Sequence, residues 1–338
     1  MNVQLLASAI APALIAWLVI RLALASRYAM HASDHPNERS LHDAPRPRLG
    51  GIGVMIAALP FAAWHAGGSL QVIVACAAGL AIVSALDDLR SLAVAVRLAV
   101  HLGAAALAVF VLVPASHWPL AASVAVVLAI AWMTNLYNFM DGSDGLAGGM
   151  ALIGFGACAL AAAQADALQL AVACAALASA AAGFLAWNFP PARVFLGDAG
   201  SIPLGFLAGT LGLSGFLTGA WPYWFPVLVF APFIVDASLT FLRRLARREP
   251  VWRAHRSHYY QRLVLAGWPH RRVALAAYAL MLASAASALL ARTESAFVQC
   301  GIMAAWVVAW TALAWTIERQ LRRGAKGGIS VGPRRSID

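Results

Sequence analysis

Apolar runs of about 17 to 22 residues recur from one end of the chain to the other, divided by short polar or Pro- and Gly-containing stretches. Each run is long enough to cross a hydrocarbon layer about 30 Å thick as a helix. The pattern predicts an all-α polytopic membrane protein with about eleven transmembrane helices, ten being the alternative count. They fall at 3–24, 51–66, 70–86, 93–113, 119–136, 146–164, 167–187, 202–219, 222–241, 273–291 and 296–316. No Lys or Arg precedes the first run, which is too long for a signal-peptide core, so it is expected to stay as a span.

Polar residues change this picture at the span ends. The stretch NLYNFMDGSDGLAGG places Asn135, Asn138, Asp141 and Asp144 at three-residue steps where one apolar run ends. A carboxylate at mid-bilayer costs roughly 2.5 to 3.5 kcal/mol on insertion scales, so acids kept at span ends point to a site. Helical neighbours lie three or four apart, so Asn138 can meet both Asn135 and Asp141. A step of three drifts by about 60° per pair, so all four need a bend, which Gly142, Gly145, Gly148 and Gly149 permit.

Composition excludes an ordinary soluble domain: 62% of the 338 residues are hydrophobic and 11% are charged, against about 25% charged in such domains. The net charge of +10 lies in loops, where membrane orientation and anionic lipid headgroups account for it without nucleic acid. With eleven crossings, 23 of the 24 Lys and Arg residues fall on one face and Arg292 alone on the other. That face is expected to be cytoplasmic and the N terminus external. Twelve of the fourteen acids share it, leaving Asp166 and Glu294 outside. The cysteines Cys76, Cys158, Cys174 and Cys300 stand singly in apolar runs and read as small core residues. The domain expectation is one membrane unit over 1–318, with active-site loops at 25–50, 87–92, 137–145, 188–201 and 242–272. A basic, disordered tail is expected over 319–338.

Four further stretches carry polar chemistry on that face. DHPNERSLHDAPRPRLGGIG before the second span brings Arg39, His42, Arg46 and Arg48, either a clamp on phosphate oxygens or an ordinary basic loop. Asp87 and Asp88 end the third span; adjacent acids raise each other's pKa unless a cation is present, so the pair implies a metal ion, a basic partner or a proton-handling role, or else a plain helix end. WNFPPARVFLGDAGSIPLG breaks at Pro190-Pro191 and sets Asp198 where a helix begins, suited to a metal-diphosphate ligand or to plain capping. The last large loop, around RAHRSHYYQRL, holds nine arginines with His255, His258 and His270, without zinc-ligand spacing, and reads as an anion-binding surface. Asp236 either reaches the same pocket or pairs with Arg243 or Arg244.

In order and spacing these elements resemble the polyprenyl-phosphate N-acetylhexosamine-1-phosphate transferase family, from about Asp34 to Arg262. Its PxPRxGG element is matched at Pro45–Gly51, its aspartate pair at Asp87 and Asp88, its NxxNxxDGxDGLA element at Asn135–Ala147 and its FxGDxGS element at Phe195–Ser201. The resemblance implies that Asp87 and Asp88 serve the lipid phosphate and catalysis, and that Asn135, Asn138, Asp141 and Asp144 form the nucleotide-sugar site. It gives Phe195 a uracil-stacking role with Asn188 nearby, and makes Asp198 a catalytic acid and the ligand of Mg²⁺, or of Mn²⁺ in its place. Arg46, Arg48, His255, Arg256 and His258 would cover the phosphates. Two features depart from the peptidoglycan branch: Ser91 replaces the lysine of its DDxxK element, and HRSHYYQRL replaces its near-consecutive histidines. The latter form is similar to the branch that primes O-antigen with N-acetylfucosamine- or N-acetylquinovosamine-type sugars.

The implied reaction joins undecaprenyl phosphate to the sugar phosphate of a UDP-N-acetylhexosamine at the cytoplasmic face of a bacterial inner membrane. Membrane lipids and a homodimer are the other partners considered; nucleic acid is not. A UDP-N-acetylglucosamine-specific transferase is the alternative within the family, and an ion-coupled transporter the alternative from another class. A transporter should carry its acids near mid-bilayer and show related halves; here the acids line one face, and no internal repeat is visible.

Overall fold

The structure, a computed structural model, describes residues 3–26, 33–34, 41, 45–90, 92–113, 118–250 and 255–326. Arg39 and His42 of the first loop lie outside the described residues. Thirteen helices are present among those described: α1 (Val3–Ala25), α2 (Gly50–His65), α3 (Ser69–Arg90), α4 (Val94–Leu112), α5 (Leu120–Phe139), α6 (Leu146–Gln164) and α7 (Leu168–Asn188). After the break that follows α7 come α8 (Asp198–Leu217), α9 (Trp224–Val229), α10 (Ala231–Ala246), α11 (Tyr259–Leu265), α12 (His270–Ala291) and α13 (Ala296–Lys326). The strand content is one antiparallel pair of two-residue segments, β1 (Ser33–Asp34) and β2 (Arg46–Pro47).

Nine of these helices are long and apolar enough to cross a membrane. The other two expected spans take different forms. α2 is a 16-residue apolar helix, and the ninth span is divided into α9 and α10 at Phe230. Pro232 has no N–H to donate back to Leu228, so the ladder cannot run through this point. Three boundaries shift as well: α3 continues through Asp87 and Asp88, α8 begins at Asp198, and α13 runs through Lys326. Residues 319–326 therefore extend a helix instead of opening the expected tail, and 327–338 lie outside the described residues.

The centre of the bundle is α6, α7 and α8, each with more than 70% of its apolar window buried, whereas the window of α13 has none buried. α7 is rich in Ala and packs on α1, α2 and α6. Hydrophobicity cannot drive helices together in lipid; small residues do so by letting backbones approach. A Cβ on Gly183 of α7 would overlap the Ala13 carbonyl of α1. The Ala13 N–H donates to Ser179 Oγ at 3.0 Å across the same contact.

One contact between irregular segments fixes the polar end. The Phe195 N–H donates to the Pro47 carbonyl (2.8 Å), the Gly50 N–H to the Phe195 carbonyl (2.9 Å) and the Gly51 N–H to the Leu196 carbonyl (2.8 Å). The chain entering α2 is thereby zipped to the chain entering α8. A Cβ on Gly200 would sit 2.5 Å from Gly51 Cα, and one on Gly51 would overlap the Gly200 backbone. Gly51→Ala is expected to cost about 1 to 3 kcal/mol by overpacking. Thermal unfolding in detergent should show a lowered midpoint, while Gly79→Ala, inside α3 where a Cβ meets nothing within 4 Å, does not lower it.

Candidate active site

The polar end of the bundle opens into a cavity of about 380 Å³ bounded by α3, α4, α5, α8, α10 and the segment leading into α11. Asp87, Asn135, Asn138, Asp198, His255 and His258, all singled out in the sequence, line it. Its central contact joins α5 to α8. Asn138 Nδ2 donates to Asp198 Oδ1 at 2.8 Å and to Ser201 Oγ at 2.9 Å. These helices meet closely because Gly205 leaves room for the Met133 carbonyl, 2.6 Å from where a Cβ would stand.

Each acid has a distinct setting. Asp87, on the last turn of α3, is buried; Oδ1 accepts the Leu92 N–H at 2.5 Å and Oδ2 accepts from Arg97 Nη1 at 3.1 Å. Its neighbour Asp88 faces away from the cavity lining toward Arg48, whose Nη1 is 3.4 Å from Oδ1. Asp141 accepts the Gly197 N–H, and burial together with the Asp198 charge pushes its carboxyl well above the usual carboxylate range, with Arg48 acting in the opposite sense. Asp88, too, acts on Asp141. Asp198 thus stands between two groups of side chains: the cavity on one side, and Arg48, Asp88 and Asp141 on the other.

Several predicted site residues brace the loops. Asn188 is buried with both amide ends engaged, Oδ1 accepting from the Gly145 N–H and Nδ2 donating to the Val194 carbonyl, each at 2.9 Å. Asp144 Oδ2 accepts the Ala192 N–H at 2.9 Å. Phe195 is half-buried and held by the backbone zipper. Arg46 lies in β2, and Arg256 is exposed. None of these five lines the cavity. The Gly-rich turn after α5 is further bolted by three phenols: Tyr260 to the Phe139 carbonyl (3.0 Å), Tyr278 to Gly145 (2.7 Å) and Tyr137 to Ala147 (2.9 Å). Gly145 has φ +76°, which suits a residue without a Cβ.

Asp236 neither enters the cavity lining nor pairs with Arg243 or Arg244. Its carboxylate accepts the N–H groups of Tyr259 (2.9 Å) and Tyr260 (3.2 Å) at the start of α11 and lies 3.4 Å from His258 Nδ1. Arg244 instead pairs with Glu249 (2.9 Å), and Arg243 with Glu318. Arg97, His101, Arg244 and Gln261 also line the cavity and were not assigned to the site from sequence. Arg97 and His101 are four residues apart in an otherwise apolar span, which puts both on one face of α4. That spacing of two ionisable groups was the available signal.

The donor set fits a divalent cation of the Mg²⁺ type. Among the described residues, no three His, Cys, Asp or Glu side chains are close enough to enclose a metal by themselves. Mg²⁺ commonly takes one or two carboxylates and completes its shell with water and substrate phosphate oxygens. Asp198, with the Asp141 and Asp88 carboxylates near it, offers such a partial site, and the electrostatic penalty at Asp141 is one that a cation would relieve.

One cavity at the polar end of a bundle of span-length helices thus gathers Asp87 and Asp198 with Arg97, Arg244, His101, His255 and His258. The chain belongs to glycosyl transferase family 4, whose pattern matches residues 70–216, and it acts as a glycosyl-1-phosphate transferase. It is 30% identical over 280 residues to the undecaprenyl-phosphate alpha-N-acetylglucosaminyl 1-phosphate transferase of Yersinia pestis, covering 76% of this chain and 74% of that one. It is 30% identical over 301 residues to the decaprenyl-phosphate N-acetylglucosaminephosphotransferase of Mycobacterium tuberculosis, with coverage of 75% and 74%. The probable undecaprenyl-phosphate N-acetylglucosaminyl 1-phosphate transferase of Bacillus subtilis is 28% identical over 280 residues, covering 78% of each chain.

His255 gives the site a measurable pH signature. Burial, then the charges of His258 and Arg244, push its pKa down to about 4, with Glu249 opposing. The unfolded chain, with His near 6.5, binds more protons between these values, so this histidine's contribution to stability is complete above about 6.5 and falls away as pH drops toward 4. Histidine-labelled NMR of the detergent-solubilised protein should show one imidazole titrating near 4. Its loss in His255→Gln assigns it; a midpoint near 6.5 would refute the assignment.

Proposed function

We propose that the protein transfers an N-acetylhexosamine 1-phosphate from a UDP-sugar to undecaprenyl phosphate, forming undecaprenyl diphosphate sugar and UMP at the cytoplasmic face of a bacterial inner membrane. The observation that carries this reading is the convergence of Asp87, Asn138, Asp198, His255 and His258 on one cavity at a membrane-helix end. The chemistry joins two anions. An oxygen of the lipid phosphate attacks the sugar-linked phosphorus, the bond between that phosphorus and the oxygen bridging it to the α-phosphate breaks, and UMP leaves with the bridging oxygen.

Each group has a physical task in this step. Arg97 and the buried Arg244 supply fixed positive charge in a site partly withdrawn from water, where it offsets phosphate repulsion. Asp87 in the cavity, with Asp88 beside it acting through Arg48, positions the acceptor phosphate, whose second pKa near 6 lets its dianion attack without a strong base. Asn138 orients Asp198 through its 2.8 Å hydrogen bond. Bound at Asp198, Mg²⁺ or Mn²⁺ would neutralise charge on the diphosphate oxygens. His255, neutral at physiological pH, is suited to accept or donate a hydrogen bond at the sugar or phosphate edge.

Two sugar assignments have specific support. The HRSHYYQRL form favours an O-antigen-priming role on N-acetylfucosamine- or N-acetylquinovosamine-type sugars, whereas the relatives from Yersinia and Mycobacterium carry N-acetylglucosamine in their names. Membranes containing the protein, supplied with undecaprenyl phosphate and each UDP-sugar in turn, are expected to release UMP with one of these N-acetylated donors. Asp198→Asn should lower that release roughly 100-fold or more, on the scale of losing an electrostatic anchor. Nucleotide-sugar flux into proteoliposomes without UMP would sink the proposal in favour of transport.

A further inference from the structure

The cavity's histidine wall is reached from an unexpected direction. α13 begins 33 residues after the RAHRSHYYQRL stretch ends and makes few contacts with the bundle, chiefly with α12. Near its foot, Glu318 leaves that pattern. Oε1 accepts from Arg243 Nη1 on α10 and from Arg262 Nη1 on α11, and Oε2 accepts from Arg262 Nη2 at 3.1 Å. All three side chains are largely shielded, with 19 to 23% of each exposed. One carboxylate therefore bridges two guanidiniums on two different helices.

Both guanidiniums also bear on the segment that carries the histidines. They lie over the Tyr259 ring, Arg243 at 5.0 Å and Arg262 at 5.5 Å from its centroid. Arg243 Nη2 donates to the Ser257 carbonyl at 2.7 Å, and Ser257 Oγ lies 2.9 Å from His255 Nδ1. His258, which precedes Tyr259, has its ring 4.9 Å from that of His255. Without Glu318, Arg243 and Arg262 would be two like charges facing one aromatic ring with nothing to hold them together. A bidentate carboxylate removes that repulsion and fixes the direction of each fork.

We propose that Glu318 is a positioning residue: through Arg243 and Arg262 it locks the Ser257–Tyr259 backbone, and with it the placement of His255 and His258 in the cavity. This rests on the transferase reading for its kinetic consequence and on geometry alone for its structural one. The C-terminal helix thereby becomes part of the site without touching substrate.

The two consequences are tested separately. In hydrogen exchange without substrate, Glu318→Gln is expected to speed exchange of the 255–262 amides while leaving those of α6 and α7 unchanged; identical exchange at 255–262 would overturn the proposal. In the UMP assay, Glu318→Gln should raise KM for the UDP-sugar roughly tenfold, the scale on which small misplacements act. Glu318→Asp should recover part of this. Adding Glu318→Gln to His255→Ala should cost little beyond His255→Ala, since both act on one wall; full additivity, or an effect on kcat with KM unchanged, would also overturn it. Absence of UMP release from the unsubstituted protein with every donor would instead refute the proposed function and leave the exchange result standing.

Discussion

The polar end of this protein depends on the absence of side chains where three backbones meet. Gly51 and Gly200 allow the entries to α2 and α8 to pair, and Gly205 brings α8 onto α5. Only with those approaches does Asp198, at the first residue of α8, reach Asn138 near the end of α5. The acid then stands at a helix N terminus, where exposed N–H groups and the helix dipole favour negative charge. A site for phosphorylated ligands follows from where the glycines are as much as from where the acids are.

The charges within the site are largely answered by one another. Arg97 is on Asp87, Arg48 on Asp88, and Arg244 on Glu249. The positive balance of the chain is carried mainly by loop and tail arginines outside this set. The three arginines are therefore already oriented by carboxylates, and each pairing offsets the desolvation cost that a partly buried charge would otherwise incur.

The positions of most apolar helices were legible in the sequence, because length and composition alone distinguish a span; the shortness of α2 and the break between α9 and α10 were not. Their arrangement was not. Helices such as α7 are apolar all round, so no stripe marks the face that packs, and the contact at Ala13, Ser179 and Gly183 depends on small residues with no periodic signature. Within the site, Asp87, Asn138, Asp198, His255 and His258 were legible because polar groups at span ends are costly unless used. Asn188 and Asp144 were of the same residue types, yet they satisfy loop N–H groups; an amide or carboxylate that braces a turn looks the same in sequence as one that binds a ligand. Arg97 and His101 escaped notice for the converse reason: a basic residue near a span end is what orientation alone would place there.

The three phenols on the Gly-rich turn have one more implication. Tyrosine hydroxyls lose their protons near pH 10, so the bonds from Tyr137, Tyr260 and Tyr278 to carbonyl oxygens are indifferent to acidity across the range in which carboxylates and imidazoles titrate. The turn that carries Asp141 is therefore a fixed frame. A change of charge at the acid leaves the backbone that presents it in register, so the charge state of the site can change without a change of shape.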